Sequence, residues 1–503
     1  MPLFPLASVL PAGLLPAGLA SAGSLGHTLS MLRLLTSFIL IAASAIAPAQ
    51  TYAPVADKPP ALAREFRGVW VASIYNLDWP SSKGLSAAAQ QGELRTLLDK
   101  VAALKMNAVI FQVRPHCDAL YSSSTEPWSP WLTVTMGRSP GYDPLAFCIR
   151  EAHARGIEVH AWFNPFRALA NTSHAASANH ITKAAPGLTK RYGSMIWCDP
   201  ALPETRARAL SVILDVVRRY DVDGVHLDDY FYPYPTGGLT FGDGKSPSQR
   251  RAYIDGFVSN LYASVKKQKP WVRVGISPFG IWRPGVPAGI EASLDSYEQL
   301  ACDAKKWLKN GWVDYLAPQL YWRISPQKQS FPALLTWWRQ QGSRPVWPGI
   351  ATARINSSED PGRPATEITN QINLTRQIGN NWNGHLHWSA KSLVRNQGGI
   401  ATRLANTYTQ PAAVPPMPWV SNRAPAAPGV SAALQGNGTT ISWVPDPTTA
   451  KIAVQARLGG TWRTVQIVPA GQKSLALPRA ETLAVTALDR YGNASPPKVL
   501  GLR

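Results

Sequence analysis

The chain has 503 residues, is 45% hydrophobic and carries a formal charge of +20. This length calls for more than one domain, and the hydrophobic share is that of a globular protein with a full core, which excludes a disordered chain. The basic balance favours an anionic partner or anionic surroundings, yet there is no Lys/Arg run, zinc-finger spacing or RNP-type motif, which argues against nucleic acid. The 19 tryptophans suit a cleft that stacks flat, weakly polar ligands such as sugars or bases.

The first informative segment is MLRLLTSFILIAASAIAPAQTY, residues 31–52. Arg33 gives a positive end, Leu34 to Ile46 an apolar run, and Ala47-Pro48-Ala49 a small-x-small cleavage site. This is the pattern of an export signal, and the run is short for a membrane span. We therefore expect residues 1–30 to be an over-long N-terminal extension, residues 31–49 a signal peptide, and the mature protein to be periplasmic or secreted. No Cys follows the cleavage site, so no lipid anchor is expected there. Export permits disulfides among Cys117, Cys148, Cys198 and Cys302. No C-x-x-C pair is present, so neither a thiolate metal site nor any other cofactor is expected, and separate buried thiols and a single bridge both stay open.

Residues 53–63 are Pro/Ala-rich and read as a short linker. Eight apolar segments follow, at 66–73, 107–115, 157–165, 223–231, 273–280, 314–322, 345–353 and 384–391. Between them lie stretches with apolar residues at helical spacing, such as LRTLLDKVAALK and PLAFCIREAHARG. Strand-helix alternation implies parallel strands, and eight such units predict an α/β fold, a (β/α)8 TIM barrel over residues 64–405. Pro-rich residues 411–428 read as a linker. Residues 429–503 contain short alternating segments (TTISWV, KIAVQAR, TWRTVQIV, SLALP, TLAVTALD) and predict a small β-sandwich that looks like a fibronectin type III module.

In such a barrel the C-terminal ends of the strands carry function. Polar and aromatic residues gather there. They are Asp78 and Trp79 after the first strand, Arg114, Asp118 and Glu126 after the second, and Trp162, Asn164 and Arg167 at the third. The fourth gives His226, Asp228, Asp229, Tyr230 and Tyr232; the remainder are Trp282, Gln319, Tyr321, Trp322 and Lys391. Period-two alternation through DGVHLDDYFYPY turns His226 and Asp228 toward the barrel axis and Val225 and Leu227 toward the helices. Asp229 then lies in the loop or pairs with a cation. Asp228 as a buried acid paired with Arg114 or Arg167 is the structural alternative. His226 has no H-x-H or H-E-x-x-H partner, and no G-x-S-x-G pattern is present, which leaves carboxylate chemistry in an aromatic groove, the equipment of glycoside hydrolysis.

These residues carry a resemblance. FRGVWVAS…NLDWPS, FQVRPHCDALYSSSTEPWS, PGYDPLAFCIREAHARGIEVHAWFNPFR, DGVHLDDYFYPYP, GISPFGIW, WVDYLAPQLYW and HWSAKSL are similar to segments of the glycosyl-hydrolase-like family ten proteins, in order, over residues 64–405. That family includes division-associated glycosidases that cut peptidoglycan glycan stripped of peptide. The resemblance implies a cell-wall glycan substrate, possible partners at the division site, and Asp228 as the leading catalytic carboxylate with Asp229 beside it. It also implies that Arg114, Asp118, Glu126, Asn164, Arg167, Gln319, Tyr321 and Trp322 line the groove. DGVHLDDY also looks like a distant version of the chitinase motif DGxDxDxE, with Tyr230 where the acid Glu would stand. Asp229, Glu126 or Asp118 must then replace that Glu. Cys117 and Cys198 depart from the family pattern and are placed to bridge loops two and three. The other readings are a non-catalytic glycan-binding barrel and a glycosidase of an exopolysaccharide or chitin-like polymer.

Overall fold

A computed structural model describes residues 50–379 and 382–503. The expected extension and signal peptide lie outside the described residues. Eight parallel strands form one sheet: β1 (Phe66–Val71), β2 (Ala108–Arg114), β3 (Glu158–Phe163), β4 (Gly224–Leu227), β5 (Arg273–Ile276), β6 (Tyr315–Leu316), β7 (Gly349–Ile350) and β8 (Gly384–His387). Neighbours run β6-β5-β4-β3-β2-β1-β8-β7. Parallel bridges Leu316↔Val346 and Gln319↔Gly349 join β6 to the β7 segment and close the barrel. The two segments are shorter than their sequence patterns predict. Pro318, Pro345 and Pro348 interrupt them, and proline has no N–H for the ladder.

Alternation along each strand sorts two cores. Val69, Val109, Phe111, Val159, Val225 and Leu227 pack outward against the helices. Phe66, Trp70, Ile110, Trp162, Tyr315 and Trp347 fill the interior, where Phe66 stacks on Trp347 with centroids 4.0 Å apart. Bulky rings fit because small residues face them: a Cβ on Gly275 would lie 2.0 Å from the Tyr315 ring. The helices begin where the sequence supplies caps. Ser86 accepts from Ala89 N, and Asp143, followed by Pro144, accepts from Ala146 N. Ser246 and Gln249 form a reciprocal capping box.

Two antiparallel sheets follow the barrel and form the small sandwich. One holds Gly429–Gln435, Gly438–Val444 and Ser474–Pro478; the other holds Thr449–Leu458, Thr461–Pro469, Thr482–Asp489 and Lys498–Leu502. Tyr52–Pro54 pairs antiparallel with Lys498–Leu502. Residues 53–63, read as a linker, thus begin inside the second sheet, because the edge of the last strand offers ladder partners. The 411–428 segment is packed too. Ala413 N donates to Ala63 O (2.8 Å), Met417 N donates to Tyr491 O (2.9 Å), and Met417 is fully buried.

The sandwich sits against the N-terminal ends of the barrel strands. Lys451 pairs with Glu158 at the start of β3 (3.3 Å), and Arg490 pairs with Asp221 just before β4 (2.6 Å). Arg273 Nη2 donates to Pro415 O (2.7 Å). Among the described residues no hydrogen bond or ion pair joins the sandwich to the βα-loops at the opposite end. Among the described residues no helix is long and apolar enough to cross a membrane.

Candidate active site

β4 ends at Leu227, so Asp228 and Asp229 are the first residues beyond it. Both are buried. Asp228 Oδ2 accepts from Trp162 Nε1 (3.3 Å) and from Asn164 Nδ2, and Oδ1 accepts from Tyr230 N (3.2 Å). Burial pushes this carboxyl up to about 6, while Arg167 and the three N–H donors pull the other way. Asp229 Oδ2 accepts from the Tyr234 hydroxyl. Burial and then the charge of Asp228 push its carboxyl up to about 7, opposed by Tyr234 and Gln319. Among the described residues neither acid forms an ion pair. Burial thus outweighs hydrogen bonding, and two adjacent carboxylates cannot both ionise cheaply. Both carboxyls are thus raised above the usual carboxylate range, and the two titrate as a pair in different surroundings.

The acid pair is fixed from below. Asn164 Oδ1 accepts from Gln112 Nε2 (2.7 Å), and Gln112 Oε1 accepts from Ser73 N and Ile74 N (3.0 Å each). This relay sets which end of Asn164 faces Asp228. Deeper in the barrel, Trp70 Nε1 donates to His226 Nε2 (3.2 Å). An indole N–H can only donate, so Nε2 carries no proton and Nδ1–H donates to the Tyr315 hydroxyl (3.0 Å). Burial holds His226 neutral, its pKa well below the usual value. His226 is part of the floor rather than a group in contact with a ligand.

Around the acids, Arg167 lies 4.7 Å over the Tyr230 ring, and Tyr230 packs 5.2 Å from Tyr234. Gln319 and Tyr321 are half-buried on the β6 side. Trp388 stacks on Tyr321 at 6.5 Å and meets Trp162 edge-on at 6.2 Å. These side chains form an aromatic and amide wall beside two acids.

Several sequence-predicted groove residues do other work. Arg114 is fully enclosed and all five of its N–H groups are used: by both Glu126 oxygens, by the carbonyls of Asn164 and Pro165, and by Cys117 Sγ. Neither Arg114 nor Glu126 is left to bind a sugar or supply a proton. Asp118 is wholly buried, accepts from His116 N (2.7 Å), and is pushed by burial up to about 6. Asp78 accepts from Ser389 Oγ, Lys391 N and Ala72 N, and so laces the first loop to the last. Trp79 is 1% exposed and donates to Gln90 O beneath the helix Ala87–Ala103. Tyr232 is also 1% exposed and packs on Phe241. Trp282 lies in a separate cluster with Trp337 and Tyr297. Trp322 packs edge-on against Phe279. Cys117 and Cys198 face each other as thiols, Sγ to Sγ 3.4 Å.

Sequence reading missed Gln112, Tyr234 and Trp388. A signal for Gln112 was present: a lone amide between hydrophobics in AVIFQVR, at an inward position. Tyr234 lies beyond the end of β4, where alternation along a strand no longer says which of the tyrosines after Asp229 turns toward the acids. Trp388 follows β8 directly and had no pattern to distinguish it from the other tryptophans.

The family model for glycosyl hydrolase-like 10 matches residues 65–361. Glycosyl hydrolase YngK of Bacillus subtilis (strain 168) is 39% identical over 406 residues, covering 76% of this chain and 79% of that protein. Glycosyl hydrolase DigH of Escherichia coli (strain K12) is 34% identical over 320 residues, covering 57% of this chain and 73% of that protein. Among solved structures, the PgaB (BpsB) glycoside hydrolase domain from Bordetella bronchiseptica aligns with 68% of this chain and 98% of that domain, at 13% identity and a TM-score of 0.44. By the family match and the relatives at 39% and 34% identity, the chain belongs to the glycosyl hydrolase-like 10 family and is a glycoside hydrolase.

Proposed function

We propose that this enzyme is exported and hydrolyses glycosidic bonds in cell-wall glycan strands stripped of their peptides. Asp229 is the proton donor and Asp228 the carboxylate at the anomeric centre. The observation that carries the assignment is the unequal hydrogen bonding of two adjacent buried acids that form no ion pair among the described residues: three N–H donors on Asp228 and the Tyr234 hydroxyl on Asp229. Asp229 is pushed up to about 7 by burial and by the charge of Asp228. Asp228 is stabilised as an anion by three N–H donors and the field of Arg167.

The chemistry follows from that difference. Asp229 gives its proton to the glycosidic oxygen as the bond to C1 breaks, and the bonding pair leaves with that oxygen. The positive charge that develops on C1 and the ring oxygen is met by the Asp228 carboxylate, which is already oriented by Asn164 and Trp162. A water completes the hydrolysis, and its proton passes to a carboxylate of the pair. Glu126 and Asp118, the other acids considered for the donor, are committed to Arg114 and to a closed pocket respectively. A strongly basic chain suits an anionic wall, the signal-like segment at 31–49 supports export, and division-site partners remain part of the same proposal.

The test is product analysis by mass spectrometry. Protein from Gln50 onward and its Asp228→Asn variant are incubated with peptide-stripped peptidoglycan glycan. Shortened saccharides from the native protein alone are expected. Intact strands from both, with glycan still bound, would replace this reading with a glycan-binding barrel. Intact strands with no binding would move the substrate to another polymer.

A further inference from the structure

Four rings from three loops meet at the barrel mouth: Tyr75 after β1, His116 and Trp131 after β2, and His174 after β3. Tyr75 lies 5.0 Å from Trp131, 6.3 Å from His116 and 6.4 Å from His174, and Trp131 lies 5.8 Å from His174. The acid pocket uses none of them. Trp131 and His116 are buried, whereas Tyr75 is 51% exposed. A large ring is therefore mounted edge-on over a buried tryptophan, with much of its surface in water.

The backbone is arranged to keep it there. Tyr75 and Asn76 both adopt left-handed φ, +54° and +52°. Non-glycine residues rarely do so, and such strain persists only where the surroundings enforce it. Here Asn76 Nδ2 donates to Pro80 O (2.9 Å) and Trp131 O (3.0 Å). The turn's entry is held by Gln112, which receives Ser73 N and Ile74 N and donates to Asn164, the partner of Asp228. One buried amide thus registers the exposed ring against the catalytic carboxylate.

We propose that Tyr75 is the stacking ring of a further sugar subsite, on the β1–β3 side of the mouth, which takes a pyranose of the same glycan strand remote from the bond being cut. The proposal rests on the glycan reading above. The ring is uncharged and amphipathic, and Trp131 supports it from beneath. That chemistry fits the C–H face of an equatorially substituted hexosamine ring rather than a charged or lipid ligand. The subsite lengthens the groove, so its contribution appears only with saccharides long enough to span both places.

The test is equilibrium binding of two probes, a peptide-stripped peptidoglycan disaccharide and an octasaccharide, to the Asp228→Asn protein, which binds without turnover. Adding Tyr75→Ala is expected to weaken the octasaccharide about three- to tenfold and the disaccharide much less, the loss of one aromatic stacking contact. Tyr75→Phe, which keeps the ring and the fold, restores octasaccharide affinity. An equal loss for both probes, or none for either, overturns the subsite. Failure of Asp228→Asn itself to bind either probe overturns the glycan reading, and the subsite with it. Two-dimensional NMR of Tyr75→Ala with the disaccharide bound reports whether the acid pocket keeps its geometry. A rearranged pocket also overturns the subsite, since the ring would then act through the fold.

Discussion

The two ends of the barrel use the same acids in opposite ways. At the N-terminal end Glu65 receives Arg376 and Arg67, and these partners, with His385, overcome burial and hold its carboxyl down at about 2. Glu158 faces Lys451, His160 and Arg273, and Asp223 faces His153; both are held below the usual carboxylate range against burial. At the C-terminal end Asp228 and Asp229 are as buried as Glu65 but form no ion pair among the described residues, and both are pushed up. Burial alone does not set the outcome; the availability of a cation does. The acids at the docked end meet cations at ion-pair distance, whereas at the mouth Arg167 acts on Asp228 only through its field. One end is thereby stabilised by charge, and the other keeps a proton to give.

The largest effects should fall on the acid pair. Asp228→Asn or Asp229→Asn should each lower turnover of peptide-stripped glycan by about 10²- to 10⁴-fold, as measured by release of reducing ends. Activity in either variant near the native level would break the contrast between the two ends. The next effect is on stability. Glu126→Ala leaves Arg114 charged, enclosed and unpaired, and should cost about 3–5 kcal/mol in denaturant unfolding. A fully stable variant with weak glycan binding would instead return Glu126 to the groove.

The pH dependence of stability should have opposite signs at the two ends. The raised values of Asp228 and Asp229 favour the protonated folded form. The stabilisation is complete below the unfolded value of about 4 and is lost as pH rises through about 6 and 7. Asp229→Asn should therefore raise the melting temperature above neutral pH, by a stabilisation on the order of 1 kcal/mol, while abolishing activity. Glu65 behaves conversely. Its lowered value contributes stability above an unfolded pKa of about 4 that is lost as pH falls toward 2. Arg376→Ala should cost about 1 kcal/mol near neutral pH, and its melting temperature should converge on the native one in acid. The smallest effect is the most discriminating about tryptophan. Trp79→Phe should leave glycan affinity unchanged within about twofold, because Trp79 packs under a helix rather than in the groove.

What could be read in the sequence followed local regularity. Val225 and Leu227 alternate with His226, and β4 carries that alternation, so the inward histidine and the acids beyond it were legible from DGVHLDD. The rule stopped at Leu227 because the strand stops there, and Tyr234 rather than Tyr232 meets the acids. Arg114 shows a second limit. Its place at a strand end was legible, but its five acceptors come from Cys117, Glu126, Asn164 and Pro165, and no local pattern states that they converge. Trp79 and Trp388 show a third: composition cannot tell a tryptophan buried under a helix from one standing beside the acids.

The central claim is that the acids at the mouth hold a proton near neutral pH while those at the docked end do not. Infrared difference spectroscopy of the protonated carboxyl stretch tests it most directly, comparing the native protein with Asp229→Asn across a pH titration. The account predicts a protonated-carboxyl band in the native protein that persists to near neutral pH and disappears in Asp229→Asn. A native protein whose carboxyls are all ionised by about pH 5, with no band lost in the variant, would contradict it.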